Sequence, residues 1–490
     1  MLPNSLADLE PRPALGPLDG RYAAQTAPLV DFFSEPALNR ARVQVEVEWF
    51  IHLLDQRVLP GAPSLAAAER EYLRGIGQGF SANQIAELAA IEKQTVHDVK
   101  AVEYFLQRQL ETAPKVLGPQ TVLGSHLNPV IHFALTSEDV NSLAYALLVR
   151  GGIEQVWLPA ARVVVTKLEQ MAHAHAQVPM LARTHGQPAT PTTLGKELAV
   201  MAYRLNRQLT RVTQAQYLGK LNGASGTYGA HVAALPQVDW PQVSRSFVEG
   251  LGLVWNPLTT QIESHDWQAE LYADVARFGR ILHNVATDMW TYISLGYFAQ
   301  ARGQGSVGSS TMPHKVNPIR FENAEANLEI SAALLDTLAA TLVTSRLQRD
   351  LTDSTTQRNI GVALGHSLLA LDNMQRGLAT LEVNPEPMQA DLAANPETLA
   401  EPIQSVMRAA AVAGIPGMDQ PYERLKELTR GKRVSLAEIR TFVQGLGLDP
   451  EAQARLETLT PATYTGLAAQ LVVDYLPNSQ TSSTPPAKEG

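Results

Sequence analysis

The sequence predicts an all-α protein of three helical domains, the central one a bundle of long helices. Three observations carry that expectation. Apolar residues recur at helical spacing over long stretches: Leu194, Leu198, Met201, Leu205, Leu209 and Val212 follow at intervals of 4, 3, 4, 4 and 3, and Leu271, Val275, Phe278, Leu282, Val285, Met289 and Ile293 at 4, 3, 4, 3, 4 and 4. Pro and Gly clusters interrupt the chain at residues 112–125 and again from Asn384-Pro385-Glu386-Pro387 onward. Finally, 490 residues, 45% of them hydrophobic and 18% charged, have the size and make-up of a multidomain globular protein. The expected divisions are 1–125, a helical domain with an extended arm; 126–383, the long-helix bundle; 384–476, a smaller helical domain; and 477–490, a disordered Ser/Thr/Pro-rich tail.

Composition also excludes several functions. A net charge of −9 without a long Lys/Arg run argues against a nucleic-acid partner. The absence of cysteine excludes disulfides, thiolate metal sites and a cysteine nucleophile. No basic segment followed by an apolar run opens the chain, and no uninterrupted 18-residue apolar stretch occurs, so a cytoplasmic protein without membrane contact is expected.

The elements follow in order. The Pro- and Leu-rich arm ends in Leu18-Asp19-Gly20-Arg21-Tyr22, a turn presenting Arg21 and Tyr22. Residues 36–112 read as mostly helical, broken near Pro60 to Pro63. Within them His97, Ala101 and Tyr104 share a helical face, with Asp98 pointing elsewhere; the spacing of a zinc site is missing, so no metal is expected there. Thr136 caps the next helix, with Ser137 behind it and Asp139 in the position of a capping box, and a helix start lined with hydroxyls is also an anion cradle. Residues 153–177 read as helical. In Arg183-Thr184-His185-Gly186-Gln187-Pro188-Ala189-Thr190-Pro191, two prolines and a glycine define a rigid loop that presents His185, a side chain whose pKa suits proton transfer near neutrality.

After the first seam comes Asn256-Pro257-Leu258-Thr259-Thr260-Gln261, a polar loop in which Gln261 has the chemistry to bind a ligand amide or carboxylate. Ile330, Leu334, Leu338 and Leu342 mark a third long helix, and Leu364, Leu368, Leu371, Leu378 and Leu381 a fourth. Helices of about 25 to 35 residues cannot bury themselves, so they must pack in a bundle and against other subunits. Between these last two, Arg346, Arg349 and Arg358 stand among Ser354 and several threonines. Such a set suits a phosphate, and a solvated helix surface is the competing reading. A basic patch, 422–434, follows in the smaller domain.

The most unusual segment is Gly303-Gln304-Gly305-Ser306-Val307-Gly308-Ser309-Ser310-Thr311-Met312-Pro313-His314-Lys315-Val316-Asn317-Pro318. Its glycines free the backbone, and Asn317-Pro318 forms an N-cap with proline at the first helical position, aiming free N–H groups back toward Ser309 and Lys315.

Residues 308–318 resemble the signature GSSxMPxKxNP of the fumarase/aspartase superfamily, and RTHGQPATP resembles a second superfamily string. The arm DGRY, VHDVKAVEYFL, the TSED turn, TTQIESHD, QRDLTDST..R and KELTRGKRV are similar to the bacterial-type adenylosuccinate lyase family within it, from about residue 15 to about 475. Val96 stands where that family often has asparagine and Ser264 where it has proline, so binding at 96 would use the backbone alone.

The resemblance implies a homotetrameric lyase that eliminates fumarate from adenylosuccinate and from the succinyl-carboxamide ribotide of purine synthesis. It needs no cofactor or metal, and its sites are shared between subunits. Ser309, on a loop that in the family closes over the succinyl group, would be the base and His185 the acid. Lys315 and Asn317 would hold the succinyl carboxylates. Thr136, Ser137, Gln261 and Asn323 would bind the succinyl or base portion, and Arg21, Tyr22, His97, Asp98, Arg349, Ser354 and Arg358 the nucleotide and its phosphate. Two other readings stay open: a sister lyase acting on argininosuccinate, malate or aspartate, and a helical scaffold that has kept the fold without the activity.

Overall fold

The computed structural model describes residues 13–301, 312, 315–429 and 434–477. Ser309, most of the Gly-rich segment, residues 430–433 of the basic patch and the tail from 478 lie outside the described residues. The chain divides into two compact units: one from Met1–Ala161, Gln208–Arg280 and Ala326–Asp372, the other from Arg162–Arg207, Ile281–Glu325 and Asn373–Gly490.

The protein is helical, as the periodicity predicts. The long helices are Glu35–Asp55, Asp98–Leu117, Ser137–Gly152, Leu158–Ala174, Leu194–Thr213, Asp266–Ser294, Ile319–Leu342 and Ile360–Ala379. The four bundle helices run 20, 29, 24 and 20 residues, so three fall below the expected lengths. Short strands interrupt the pattern: Pro179–Thr184 pairs antiparallel with Gln187–Thr193, Leu218–Gly219 pairs parallel with Val254–Trp255, and Phe298–Gln300 pairs antiparallel with Leu381–Val383.

The seams are buried largely as the spacing demands. In Asp266–Ser294 the positions Leu271, Val275, Phe278, Leu282, Val285 and Met289 are all core. In Leu194–Thr213, Met201 is half-buried and Ala202 takes the core position beside it. The third seam is corrected: Ile330 is exposed, and the buried stripe runs through Leu328, Leu335, Leu338 and Leu342. A helix rich in Ala and Leu offers more than one plausible stripe, and packing chooses among them. Leu381 leaves the fourth helix for the strand Leu381–Val383.

In the first unit the core forms around Trp49, Phe105, Trp157 and Tyr272. The Trp157 indole N–H donates to Ser367 Oγ at 2.8 Å and stacks edge-on against Phe278. Within the second unit, residues 399–456 hold a core of their own through Leu399, Ile403, Met407, Ile439, Val443 and Leu456.

Candidate active site

A pocket of about 690 Å³ in the first unit collects six of the residues singled out above: His97, Asp98, Ser137, Arg349, Ser354 and Arg358. Each arrives on a local device legible in the backbone. The helix Ala82–Thr95 ends at Val96, which takes a left-handed φ of 53° and is 89% exposed. That break corrects the expectation of one continuous helix with His97 and Asp98 on different faces. His97 instead caps the next helix from extended backbone, its Nδ1 accepting from the Lys100 N–H at 3.2 Å, and Asp98 is the first helical residue. Cap and first residue thereby face one pocket, with His97 Nδ1 3.7 Å from Asp98 Oδ1.

Ser137 is brought by the expected capping box: the Thr136 N–H donates to Asp139 Oδ2 at 2.9 Å and the helix Ser137–Gly152 begins there. Thr136 itself and Gln261 are half-buried in the same unit but do not line the pocket; the Gln261 side-chain amide donates to the Ala224 carbonyl at 3.1 Å. Arg349, Ser354 and Arg358 come from Arg346–Asn359, where Thr352–Gln357 forms a short helix. Arg358 Nη1 donates to Ser354 Oγ at 2.9 Å, so the guanidinium and hydroxyl act as one donor group. Arg346 does not join them; it is paired with Asp350 at 3.4 Å on the surface, as the solvated-helix reading has it. Arg21 is exposed, lies 5.7 Å above the Tyr22 ring and does not line the pocket.

Two residues at the pocket, Arg42, which bonds to its lining, and Glu138, which is part of that lining, escape a sequence reading. Arg42 is 1% exposed, and its guanidinium donates to Asp98 Oδ2 at 2.6 Å, to Asn141 Oδ1 at 2.9 Å and to Asn39 Oδ1 at 2.9 Å. Burial pushes the Asp98 carboxyl up, but the Arg42 charge, the Val99 N–H and the nearby Arg358 outweigh it and hold Asp98 below the usual carboxylate range. Glu138 pairs with Arg349 at 2.8 Å and accepts from Asn141 at 2.8 Å, yet its burial raises its pKa. The partners of Arg42 and Glu138 lie up to 99 and 211 residues away in sequence, so no local pattern announces them. The pocket thus places cations and hydroxyls of the 349–358 segment opposite a His–Asp pair, a set of donors and acceptors suited to an anionic, hydroxyl-bearing ligand.

In the second unit His185 sits at the tip of a hairpin rather than in a loop held by prolines. The strands Pro179–Thr184 and Gln187–Thr193 leave His185 and Gly186 to turn the chain at φ of 52° and 72°, and His185 is exposed. Pro188 and Pro191 fit because the strand has an open edge. Arg183 on the same hairpin is fixed to Asp391 at 2.5 Å, and Tyr297 donates to that carboxylate at 2.5 Å. Lys315 is exposed, its N–H donating to the Met312 carbonyl at 3.0 Å. Asn317 is half-buried. The following helix starts one residue later than expected, with the Pro318 carbonyl accepting from Phe321 and Glu322, and Asn323 lies half-buried in its first turns.

Residues 20–329 match a family model described as lyase, and residues 345–465 one described as adenylosuccinate lyase C-terminal. The chain is 47% identical over 459 residues to adenylosuccinate lyase from Escherichia coli (strain K12), and 45% identical over 459 residues to that from Vibrio cholerae; each alignment covers 94% of this chain and 98% of the relative. Among solved structures, a fumarate lyase from Mesorhizobium sp. BNC1 superposes with a TM-score of 0.69 at 20% identity, covering 91% of this chain and 96% of that one. The 3-carboxy-cis,cis-muconate lactonizing enzyme from Pseudomonas putida gives 0.68 at 19% identity, with 91% and 95% covered. These two likenesses concern the fold.

Proposed function

Because the chain belongs to the adenylosuccinate lyases within the fumarase/aspartase superfamily, we propose how its residues divide the work of that family. The protein is a carbon–nitrogen lyase that eliminates fumarate from adenylosuccinate and leaves AMP. The same elimination on the succinyl-carboxamide ribotide is part of the proposal, as are the three-domain division at 125 and 383 and a cytoplasmic setting. No helix among the described residues is long and apolar enough to cross a membrane.

The observation that carries the assignment is the first-unit pocket, where Arg349, Ser354 and Arg358 stand together with His97, Asp98 and Ser137. A phosphate fits this set because guanidinium forks match its oxygens and Ser354 supplies a further donor. Asp98, held below the usual carboxylate range chiefly by Arg42, accepts hydrogen bonds from the ribose hydroxyls. Remote binding of this kind orients the succinyl group for reaction.

Ser309, acting as its alkoxide in a positive field, takes the proton next to the carboxylate and becomes the neutral hydroxyl. That role rests on the sequence string alone. Proton removal builds a dianionic aci-carboxylate, so positive charge must sit where the negative charge develops. Lys315 and the N–H groups of the helix beginning at Ile319 supply it; Lys315 and Asn317 hold the succinyl carboxylates, and Asn323 is one of the residues that bind the succinyl or base portion. His185, presented on its hairpin tip, protonates the departing nitrogen. Thr136, Ser137 and Gln261 bind the succinyl or base portion, and Arg21 and Tyr22 approach the phosphate. A homotetramer completes each site from different chains. Supporting it are exposed apolar side chains along the long helices, Tyr203, Trp290 and Ile330.

The test is release of fumarate and AMP from adenylosuccinate by the purified protein, undiminished by EDTA. Turnover of argininosuccinate, malate or aspartate in its place assigns the protein to a sister activity. Loss of activity on chelation contradicts the metal-free chemistry.

A further inference from the structure

Asp139 and Lys220 form an ion pair at 2.8 Å in which both side chains are 0% exposed. Removing two charges from water carries a large desolvation cost, and well-packed apolar residues often do as well for stability. A gain in stability therefore does not explain the pair; what it connects does.

Lys220 donates three bonds: to Asp139 Oδ1, to the Gln261 carbonyl at 2.6 Å and to the Gly223 carbonyl at 3.1 Å. An ammonium has three donors, so none is left for a ligand. Asp139 accepts from Lys220, from the Asn222 N–H at 3.0 Å and the Gly223 N–H at 3.2 Å, and from the Thr136 N–H at 2.9 Å. Three segments distant in sequence, 136–139, 220–223 and the end of the 256–261 loop, meet at one buried point.

The neighbouring contacts reinforce it. Asn222 Nδ2 donates to Thr259 Oγ1 at 2.7 Å, and Thr260 Oγ1 donates to the carbonyl of Gln348, next to Arg349, at 2.9 Å. Gly226, at φ +74°, lies so close to the loop that a Cβ there would be 2.1 Å from the Thr259 carbonyl oxygen.

We propose that Asp139 and Lys220 are positioning residues which set the Thr136–Ser137 turn and the Gln261 loop relative to one another and to Arg349. The inference rests on the substrate-binding roles proposed for Thr136, Ser137 and Gln261. Lys220 touches no substrate; it works by holding backbone atoms whose misplacement by about 1 Å costs on the order of 100-fold in rate.

The test separates positioning from stability. Lys220→Met alone strands a buried carboxylate and lowers Tm sharply, whereas Asp139→Asn/Lys220→Met removes both charges and restores much of the Tm. Positioning predicts that this double variant, at restored Tm and native circular dichroism, still loses kcat/KM for adenylosuccinate by on the order of 10- to 100-fold. It also predicts that adding Gln261→Ala costs less in that background than in wild type, because the two changes act through one group. Wild-type kcat/KM in the double variant, or full additivity with Gln261→Ala, overturns the proposal. Gln261→Ala without effect in wild type refutes instead the binding role on which the proposal stands. Should the double variant not fold, Thr259→Val unhooks Asn222 from the loop without touching either charge. KM is then expected to rise about fivefold, the worth of one hydrogen bond, and an unchanged KM counts against positioning.

Discussion

Replacing Arg358 with alanine isolates the phosphate contact proposed for it from the chemistry. The side chain is 40% exposed, and its ion pairs are long, 3.5 Å to Glu35 and 3.6 Å to Asp98. Pairs so placed contribute about 0–1 kcal/mol, so Tm should fall by no more than a few degrees. Its bond to Ser354 Oγ at 2.9 Å leaves Ser354 free to rotate when the guanidinium goes. A hydrogen bond to a charged group is worth about 1.5–3 kcal/mol. Because solvent reaches this side chain, the lower half applies, which is about a 10- to 50-fold rise in KM for adenylosuccinate. The phosphate does not change charge during elimination, so it is bound equally in ground and transition states, and kcat should stay within about threefold. Steady-state fumarate release over a substrate range reads both constants. An unchanged KM returns Arg358 to a solvated surface role; a large fall in kcat with unchanged KM places it at the reacting carbon instead. Arg358→Lys, which keeps the charge and loses the fork, should fall between the two.

Other outcomes follow from the same geometry. Ser309→Ala should remove most of kcat while adenylosuccinate still binds, measured by equilibrium titration; a crippled Ser310→Ala beside a mild Ser309→Ala would transfer the role to the neighbour. Arg42→Met should cost about 3–5 kcal/mol in chemical denaturation, since Asp98 and its neighbours lose a buried partner. Asp98 has a folded pKa below its ordinary 3.8, so its contribution is present above that pH and is lost as pH falls through the folded value. Acid titration of Asp98→Asn should show a smaller loss of stability below about pH 4 than wild type, and an equal loss would contradict the ion pair. His132 runs the other way. Burial lowers its pKa, but the Glu46 carboxylate 2.5 Å away and nearby Glu103 raise it above 6.5 overall. Its contribution is thus complete below 6.5 and lost as pH rises through the folded value, so the Tm gap between wild type and His132→Gln should narrow at alkaline pH.

Local chemistry was legible where a single segment decides the outcome. The box from Thr136 to Asp139 and the seam from Leu271 to Met289 depend on spacing within one helix, and both stand as expected. The misses lie where tertiary contacts overrule spacing. The break at Val96 has no glycine or proline to mark it, and a valine at φ 53° is a conformation that sequence patterns assign to other residues. The segment around His185 carries the prolines of a loop, yet hydrogen bonds along 179–193 make it a hairpin. Ile330 and Leu328 are equally apolar, and only the packing of neighbouring helices decides which is buried. Arg42, Glu138 and Lys220 look like surface charges until their distant partners are folded beside them.

The proposed sharing of each site between chains of a homotetramer is tested most directly by mixing two inactive parents. Ser309→Ala and His185→Ala tetramers should each be nearly inactive, and co-refolded in equal amounts they should form mixed assemblies. A site is intact when its serine comes from one parent and its histidine from the other, a chance of one half for each, so fumarate release should return to roughly a quarter of wild type under closed symmetry. Activity that stays at the level of the parents, in mixtures where mixed tetramers are demonstrated by mass, would place both residues on one chain and contradict the account.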